Sequence, residues 1–314
     1  MVTVIPTSAY SIKKVAHDIA DVNGWNYYDR DITALLNDDA ILVGNPDAEA
    51  FGKYSGLGRR VKVMYLVIEG TAERTWYIPL LRSSGAHVIA PSAFAANWLK
   101  KFGFNVEAVI PHGVAIPDFP TIDTLKKRYQ NKQFLYVAGY LERKYPHFIG
   151  PMLDKLSHVN TRVISGGPNP YQHQFRKYTA DAYQLTSVDP YYDESYFYMN
   201  LSSNEGYGIT PLESFAHAVP VIEARLPPFE EFHLATYRKK YGDYPFAVDV
   251  LTDYWWNFGI WHIQCKYYDT DQYVHLVEKA LSLNFDEYVD LAHKVYEVAK
   301  EYPLTVYKQF QKYF

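Results

Sequence analysis

The sequence SSNEGYGITPLESFAHAVPVI, residues 202–222, decides the fold of this chain. It has the pattern of a strand end, a loop with two glycines, a helix and a second strand. We expect Thr210 to be the N-cap of the helix, Pro211 its first residue, and Glu213 the partner that completes a capping box. A strand, a glycine loop and a helix in this order indicate a parallel sheet covered by helices.

The loop in this segment has the chemistry of a sugar-diphosphate site. Gly206 and Gly208 let the backbone approach a ligand, and the helix that follows offers unpaired N–H groups and the positive end of its dipole. Carboxylates at Glu205 and Glu213 would accept hydrogen bonds from hydroxyls. The alternative is that Glu213 serves only the capping box and that Glu205 is a solvated loop residue.

The same alternation of strands and helices extends along the chain in both directions. Apolar runs rich in Val and Ile indicate strands of a parallel sheet, and segments of helical period separate them. The expected strands are residues 2–5, 40–43, 61–68, 86–90, 106–110, 134–138, 161–165 and 197–201. We therefore predict an α/β protein with two Rossmann-like domains and a ligand site in the cleft between them.

Prolines and glycines predict the domain boundaries. Residues 114–121 carry two prolines without helical period and read as a linker, so we expect an N-terminal domain over 1–118 and a C-terminal domain over 119–302. Pro303 interrupts the helical tail, and residues 303–314 form a final helix that can pack back on the N-terminal domain. The glycines within residues 52–58 predict a loop.

Helix ends and one acidic pair carry further predictions. Ser92 is expected to begin a helix that Gly103 ends with a positive φ. Asp269 and Asp271 resemble a metal-binding acid pair, but they precede a helical segment, where such residues serve as caps. We therefore predict no metal site there.

Composition narrows the classes of partner. The formal net charge of −4 provides no basic field for nucleic acid, and the single Cys265 excludes an internal disulfide framework and a Cys-based zinc cluster. No apolar stretch approaches the roughly 20 residues of a membrane span. We expect a cytoplasmic protein with at most peripheral membrane contact, for which residues 98–102 are the candidate.

Aromatic residues make up 17% of the chain and include 30 Tyr. They can serve as core, as sugar-stacking surface or as interface, and composition does not choose among these roles. The aromatic cluster at residues 254–261 can stack on a sugar acceptor or contact a partner, although aromatic residues more often pack in a core.

Residues 205–213 resemble the paired-glutamate motif of the family 4 retaining glycosyltransferases, in which seven residues separate two Glu and a Gly-aromatic-Gly follows the first. The resemblance continues upstream in residues 134–139, followed by Arg143 and Lys144, and in residues 91–92 and 109–114. It covers most of residues 86–231. It implies the GT-B fold and transfer of a sugar from a nucleotide-diphosphate donor, UDP- or GDP-sugar, with no cofactor and no bound metal.

The resemblance also implies roles for individual residues. Glu205 would contact the donor sugar, Glu213 would bind the donor ribose, and Arg143 with Lys144 would neutralise the departing diphosphate. Positive charge placed where negative charge develops is also a large catalytic term in its own right. The remaining donor-binding positions are Gly139, Gly206, Tyr207, Gly208 and Ile209.

This chain departs from the family pattern at three places. Residues 6–10 lack the Gly-rich loop that follows the first strand, and Ala218 stands where the helix normally ends in Gly. Glu69 stands where the family often has a His. Glu69 can orient or deprotonate an acceptor hydroxyl, although a solvated strand-end Glu is an equally good interpretation. We expect His112, beside Gly113, to be structural.

The sequence therefore predicts a retaining glycosyltransferase whose acceptor is a carbohydrate, a lipid-linked molecule or a protein. An epimerase or hydrolase acting on the nucleotide sugar would use the same donor site. A non-catalytic nucleotide-sugar binding module is an alternative of a different class. A DNA-modifying enzyme is disfavoured by the acidic net charge.

Overall fold

The structure is a computed structural model, and it describes residues 1–7, 9–29, 37–69, 71–72, 77–138, 142–165, 167, 169–175, 177–179, 188–258 and 261–314. The chain forms two compact units. The N-unit consists of Met1–Gly113, Asn257–Gln264 and Tyr302–Phe314, and the C-unit of Val114–Trp256 and Cys265–Glu301. Residues 257–264, which lie inside the predicted C-terminal domain, therefore belong to the N-unit.

A parallel sheet forms the centre of the N-unit. Its strands are β1 (Val2–Pro6), β2 (Asn26–Tyr27), β3 (Asp39–Gly44), β4 (Val61–Leu66), β6 (His87–Ala90) and β7 (Val106–Val109), and a separate short strand is β5 (Thr71–Ala72). The sheet order is β2-β1-β3-β4-β6-β7, and each neighbouring pair is parallel. The predicted strands of this half are confirmed to within two residues at their ends.

The N-unit helices are α1 (Tyr10–Asn23), α2 (Ala48–Leu57), α3 (Tyr77–Arg82) and α4 (Ala93–Lys101). Side chains cap the first turns of α2 and α4. Ser92 accepts a hydrogen bond from the Ala95 amide at 2.8 Å, and Gly103 follows α4 with φ of 83°, so both predictions for this helix are confirmed. The loop predicted at residues 52–58 is wrong. Those residues lie in and just after α2, because Asp47 caps the helix through the Ala50 amide at 2.9 Å.

The C-terminal segment packs within the N-unit as a 3₁₀ helix, Leu304–Tyr313. The Asn23 side chain at the end of α1 donates to the Tyr307 carbonyl at 3.2 Å. The Phe310 ring meets the Tyr65 ring edge-on at 5.1 Å between centroids. Two of the three aromatic side chains of the segment, Tyr307 and Phe310, are buried.

The C-unit has a second parallel sheet. Its strands are β8 (Phe134–Ala138), β9 (Thr161–Ser165), β10 (Lys177–Thr179), β11 (Phe197–Met199), β12 (Val221–Ala224) and β13 (Ala247–Val248). They lie in the order β10-β9-β8-β11-β12-β13, again with parallel pairing throughout. This order places β8 beside β11 at the middle of the sheet.

Tyrosines form much of the C-unit core. The helices are α5 (Ile122–Asn131), α6 (Gly150–Lys155), α7 (Asp189–Asp193), α8 (Ile209–Ala216), α9 (Pro227–Glu231), α10 (His233–Tyr241), α11 (Thr270–Ser282) and α12 (Phe285–Ala299). Tyr196 and Tyr273 are fully buried and donate to the carbonyls of Ala280 at 2.6 Å and Ile222 at 2.9 Å. Because each phenol finds a backbone acceptor, these rings can be buried without an unpaired hydroxyl.

Two long strands, β14 (Val250–Phe258) and β15 (Trp261–Tyr268), were not predicted from the sequence. In the N-unit, β15 pairs antiparallel with β5, with Trp261 opposite Ala72 and His262 opposite Thr71. Much of the aromatic cluster at residues 254–261 therefore lies in strands. Across the described ranges, no helix has the length and apolar character needed to cross a bilayer.

Candidate functional site

The centre of the candidate site is the edge of the C-unit sheet where β8 and β11 end. Parallel neighbours end at the same edge, so the 3₁₀ turn Glu142–Lys144 after β8 meets the loop after β11. The Ser203 amide donates to the Arg143 carbonyl at 2.8 Å, and the Arg143 guanidinium donates to the Asn204 carbonyl at 3.1 Å. These bonds in both directions fix the two loops to each other.

The predicted acidic and basic residues meet at this edge. The Glu205 carboxylate accepts a hydrogen bond from Lys144 Nζ through Oε1, and its Oε2 lies 3.6 Å from the Arg143 guanidinium. The side chains of Glu205, Arg143 and Lys144 are only 5%, 10% and 17% exposed. Three charged groups are therefore withdrawn from water together, an arrangement that a solvated loop glutamate would not have.

Burial and the two cations have opposite effects on Glu205. Burial alone raises the pKa of its carboxyl group, but the charges of Lys144 and Arg143 and hydrogen bonds from Lys144 and Ser202 outweigh burial. The net result is a pKa below the ordinary value for Glu. Glu205 is therefore a carboxylate at neutral pH.

A buried tyrosine fixes the backbone next to these cations. The Tyr136 hydroxyl, at the middle of β8, donates to the Lys144 carbonyl. Tyr136 is fully buried, and burial raises the pKa of its phenol well above the ordinary value, so it stays a neutral donor. The basic turn is thus held from the sheet as well as from the β11 loop.

Helix α8 begins one residue after Gly208, which has φ of 85° and is itself the N-cap. The expected capping box of Thr210 and Glu213 is wrong, because no side chain caps the helix. Thr210 lies inside the first turn, where its hydroxyl accepts from the Tyr198 hydroxyl at 3.2 Å. The helix starts earlier because Gly208 can adopt the left-handed conformation that turns the chain into it.

The glycine loop packs tightly against an aromatic pair. A Cβ atom added to Gly208 would lie 2.1 Å from the Phe229 ring, so only glycine fits there. Tyr207 packs on Phe232 with 4.6 Å between ring centroids and is 4% exposed. Gly206 lies in the same loop, and Ile209 is the first residue of α8, so its amide is one of the unpaired amides at the helix N-terminus.

Glu213 lies in α8 and is 6% exposed. Its charge adds to the effect of burial in raising the pKa of two tyrosines, Tyr192 and Tyr198. The sequence offered two interpretations of Glu213, a capping box and a donor-binding residue. The structure has no capping box at α8, so the first interpretation does not hold.

A third buried acid, Glu223 on β12, was not among the predicted site residues. Its Oε1 lies 2.7 Å from His233 Nε2, and both side chains are at least 98% buried. Burial raises the pKa of Glu223, and the charge and hydrogen bond of His233 oppose that rise. The sequence did carry a signal, because a charged residue interrupts an otherwise apolar parallel strand.

The remaining sequence candidates fall in other places. Glu69 belongs to the N-unit, in the segment after β4, and Gly139 lies outside the described residues. His112 is structural, as predicted: its Nδ1 lies 2.9 Å from the Tyr65 hydroxyl, and burial lowers the pKa of its imidazole to about 3. Asp269 caps α11 through the amides of Asp271 and Gln272 at 3.0 and 2.9 Å, as expected of a cap.

No protein-family model matches the chain. A curated viral protein, the provisionally named glycosyltransferase ORF313 of Acidianus filamentous virus 1 (isolate United States/Yellowstone), is 25% identical over 226 residues, which are 68% of this chain and 67% of the relative.

Solved glycosyltransferase structures resemble the whole chain at low identity. A sucrose-phosphate synthase from Thermosynechococcus elongatus has a TM-score of 0.65 at 12% identity and covers 99% of this chain and 98% of its own. A glycosyltransferase from Rickettsia africae has a TM-score of 0.65 at 12% identity, covering 99% and 97%. Anabaena HepE, solved with UDP-glucose, has a TM-score of 0.63 at 12% identity, covering 99% and 98%. The predicted fold class, α/β with two Rossmann-like units of the GT-B type, is confirmed.

Proposed function

We propose that the chain is a retaining glycosyltransferase that moves a sugar from a nucleotide-diphosphate donor to an acceptor hydroxyl. One observation carries the proposal. The side chains of Arg143, Lys144 and Glu205 form a cluster that is largely withdrawn from water. This cluster lies at the carboxyl edge of a parallel sheet, next to a glycine turn and the N-terminus of a helix. The glycosyltransferase description of the viral relative and the GT-B neighbours support the same activity.

The chemistry assigned to these residues follows from their charge. The bond between the anomeric carbon and the diphosphate oxygen breaks while the acceptor oxygen bonds to that carbon, with the anomeric configuration retained. Arg143 and Lys144 stabilise the negative charge that develops on the departing diphosphate. Glu205 accepts hydrogen bonds from the donor sugar, and Glu213 from the ribose.

The backbone of residues 206–209 completes the donor site by donating amide hydrogens to phosphate oxygens, a role in which glycine permits close approach. Glu69 of the N-unit is the candidate for orienting the acceptor hydroxyl and accepting its proton. Neutralisation by Arg143 and Lys144 supports a mechanism that needs no bound metal.

The proposed donor follows from a similar protein of known structure. HepE was solved with UDP-glucose, which favours a UDP-sugar as donor, with a GDP-sugar next. The acceptor is a carbohydrate, a lipid-linked molecule or a protein. We place the enzyme in the cytoplasm, with at most peripheral contact to a membrane.

The test is donor turnover by the full chain and three variants. UDP-, GDP- and ADP-sugars are supplied with a panel of acceptors, and both nucleoside diphosphate and glycosylated product are measured. Glu205→Gln and Arg143→Ala should each lower turnover by at least 100-fold. Arg162→Gln, which removes an ion pair of 2.7 Å with Glu194 on the surface, is the matched control and should keep full activity.

Full activity in both site variants would overturn the assignment. Release of free sugar or an epimerised donor in the absence of acceptor would instead identify a hydrolase or an epimerase that uses the same donor site. Binding of the nucleotide sugar without turnover on any acceptor would identify a binding module.

A further inference from the structure

The two cations assigned to the diphosphate are already engaged by a carboxylate of the protein itself. Lys144 Nζ donates to Glu205 Oε1, and the Arg143 guanidinium lies 3.6 Å from Glu205 Oε2. Each oxygen of one carboxylate thus faces one of the two cations. This is the arrangement in which a cation pair would hold two phosphate oxygens.

Lys144 cannot serve Glu205 and a diphosphate equally well. Its ammonium group is a compact charge on a flexible stem, whereas the Arg143 guanidinium is further fixed by its hydrogen bond of 3.1 Å to the Asn204 carbonyl. A diphosphate at these cations also brings two or more negative charges close to a Glu205 carboxylate that is 5% exposed. Like charges at such a distance, away from water, repel strongly.

We infer that Glu205 is an internal competitor for the diphosphate site and that the donor sugar relieves this competition. The inference rests on the proposed function, because it assumes that Arg143 and Lys144 bind the diphosphate. A nucleoside diphosphate without a sugar must displace the Glu205 carboxylate from Lys144 and leave it without an equivalent partner. A nucleotide sugar displaces it too, but its hydroxyl groups donate hydrogen bonds to the released carboxylate.

The consequence is selectivity of the site for the complete donor over its own product. Glu205 weakens the binding of the free nucleoside diphosphate. It offsets this loss only when a sugar is attached, because the sugar hydroxyls then donate hydrogen bonds to its carboxylate. Product release is thereby favoured by the same carboxylate that holds the substrate, because that carboxylate returns to Lys144 after the sugar has left.

The test is a comparison of binding constants for UDP and UDP-glucose, measured by isothermal titration calorimetry on the full chain. Glu205→Gln removes the competing charge and keeps the shape of the side chain. We expect this variant to bind UDP at least fivefold more tightly than the native protein does. We also expect the ratio of the UDP dissociation constant to the UDP-glucose dissociation constant to fall by at least fivefold.

Glu223→Gln is the matched control. It also removes a buried carboxylate from the C-unit, but the contact of Glu223 is with His233 at 2.7 Å and not with the two cations. It should leave both dissociation constants within twofold of the native values. An equal gain in UDP affinity in Glu223→Gln would show that general removal of negative charge is responsible, and would overturn the inference.

Lys144→Met separates failure of this inference from failure of the proposed function. One outcome is that UDP binds the native chain, that Lys144→Met weakens UDP binding, and that Glu205→Gln does not tighten UDP binding. In that case the diphosphate site is supported and the competition by Glu205 is refuted. If Lys144→Met leaves UDP binding unchanged, Lys144 does not hold the diphosphate, and the role proposed for Lys144 fails together with the inference.

Discussion

The hydroxyl groups of Ser203 and Tyr254 lie 2.9 Å apart, and the Ser203 hydroxyl also donates to the Arg143 carbonyl at 3.2 Å. A chain of hydrogen bonds therefore connects strand β14 to the backbone of a proposed catalytic residue. The neighbouring strand makes a second connection, since the Lys266 amide donates to the Ser203 carbonyl at 2.8 Å. Two strands that the sequence did not predict thus position Arg143 through one serine.

We predict that Tyr254→Phe lowers kcat for donor turnover by about two- to tenfold, the equivalent of one net hydrogen bond. The KM for the donor should change less than kcat, because Arg143 acts mainly on charge that develops in the transition state. Steady-state kinetics with a UDP-sugar measure both constants. Tyr267→Phe is the control: it removes a bond of 2.9 Å to His147 in the same ring cluster, and an equal fall in kcat there would contradict a specific role for Tyr254.

We predict that Gly208→Ala destabilises the protein more than Gly24→Ala. Both glycines have the left-handed conformation, with φ of 85° and 65°, so both variants carry the left-handed strain of about 1–2 kcal/mol. Only Gly208 also faces the Phe229 ring, whereas nothing lies within 4 Å of a Cβ atom at Gly24. Urea unfolding should show an additional loss of about 1–3 kcal/mol for Gly208→Ala, and equal losses would show that the clash is absent.

We predict that Ala218→Gly stabilises the protein by about 1 kcal/mol. Ala218 follows helix α8 with φ of 56°, a conformation in which glycine avoids the strain of a Cβ atom. Ala218 stands where the family that the sequence resembles has a Gly, and it adopts the conformation that glycine favours. Ala216→Gly, two residues earlier inside α8, should have the opposite sign. Urea midpoints of the two variants measure the contrast, and a loss of stability in Ala218→Gly would contradict it.

We predict that His217 makes folding stability decline as the pH rises above the ordinary pKa of histidine. Burial lowers the pKa of His217, but hydrogen bonds to Asp189 and Asp193, together with their charges, outweigh burial and raise it. The Nδ1 atom lies 2.8 Å from Asp193 Oδ1 and the Nε2 atom 3.6 Å from Asp189 Oδ1. A raised pKa in the folded state stabilises the protein fully below pH 6.5, and this contribution disappears as the pH rises through the raised value.

The measurement is urea unfolding of the native protein and His217→Gln at closely spaced pH values from 6 to 9. The native protein should lose stability relative to the variant across this range, because the variant has no imidazole to titrate. Parallel curves for the two proteins would show that His217 has the same pKa when folded and unfolded.

Local sequence was sufficient for most of the architecture. The alternation of apolar and helical segments predicted the strands β8 and β9 at their observed bounds, Phe134–Ala138 and Thr161–Ser165. The cap at Ser92 and the turn at Gly103 were also predictable, because each depends on the residue itself and its nearest neighbours in the chain. The basic pair and the two glutamates were identified by resemblance and by their position after strands.

Packing between distant segments decided what the sequence could not. The start of α8 moved from the predicted Pro211 to Ile209, with Thr210 held by the Tyr198 hydroxyl. The glycines of residues 52–58 became part of a helix and its end, because a cap at Asp47 and packing outweighed their weak helix propensity. Strand β14 was missed because the adjacent aromatic residues 254–256 break any alternation of apolar and polar positions. Strand β15 does alternate, since His262 and Gln264 separate the apolar residues Trp261, Ile263 and Cys265, so its period of two was a usable strand signal.

The sequence by itself determined that this chain has two parallel α/β halves and a loop of glycines and carboxylates. Those properties follow from periodicity and from the chemistry of single residues. Only the tertiary structure decided that Glu205 faces both Arg143 and Lys144, some sixty residues earlier in the chain. The pairing of β8 with β11 brings the ends of the two strands to one edge, and burial there makes the contact between their charges strong.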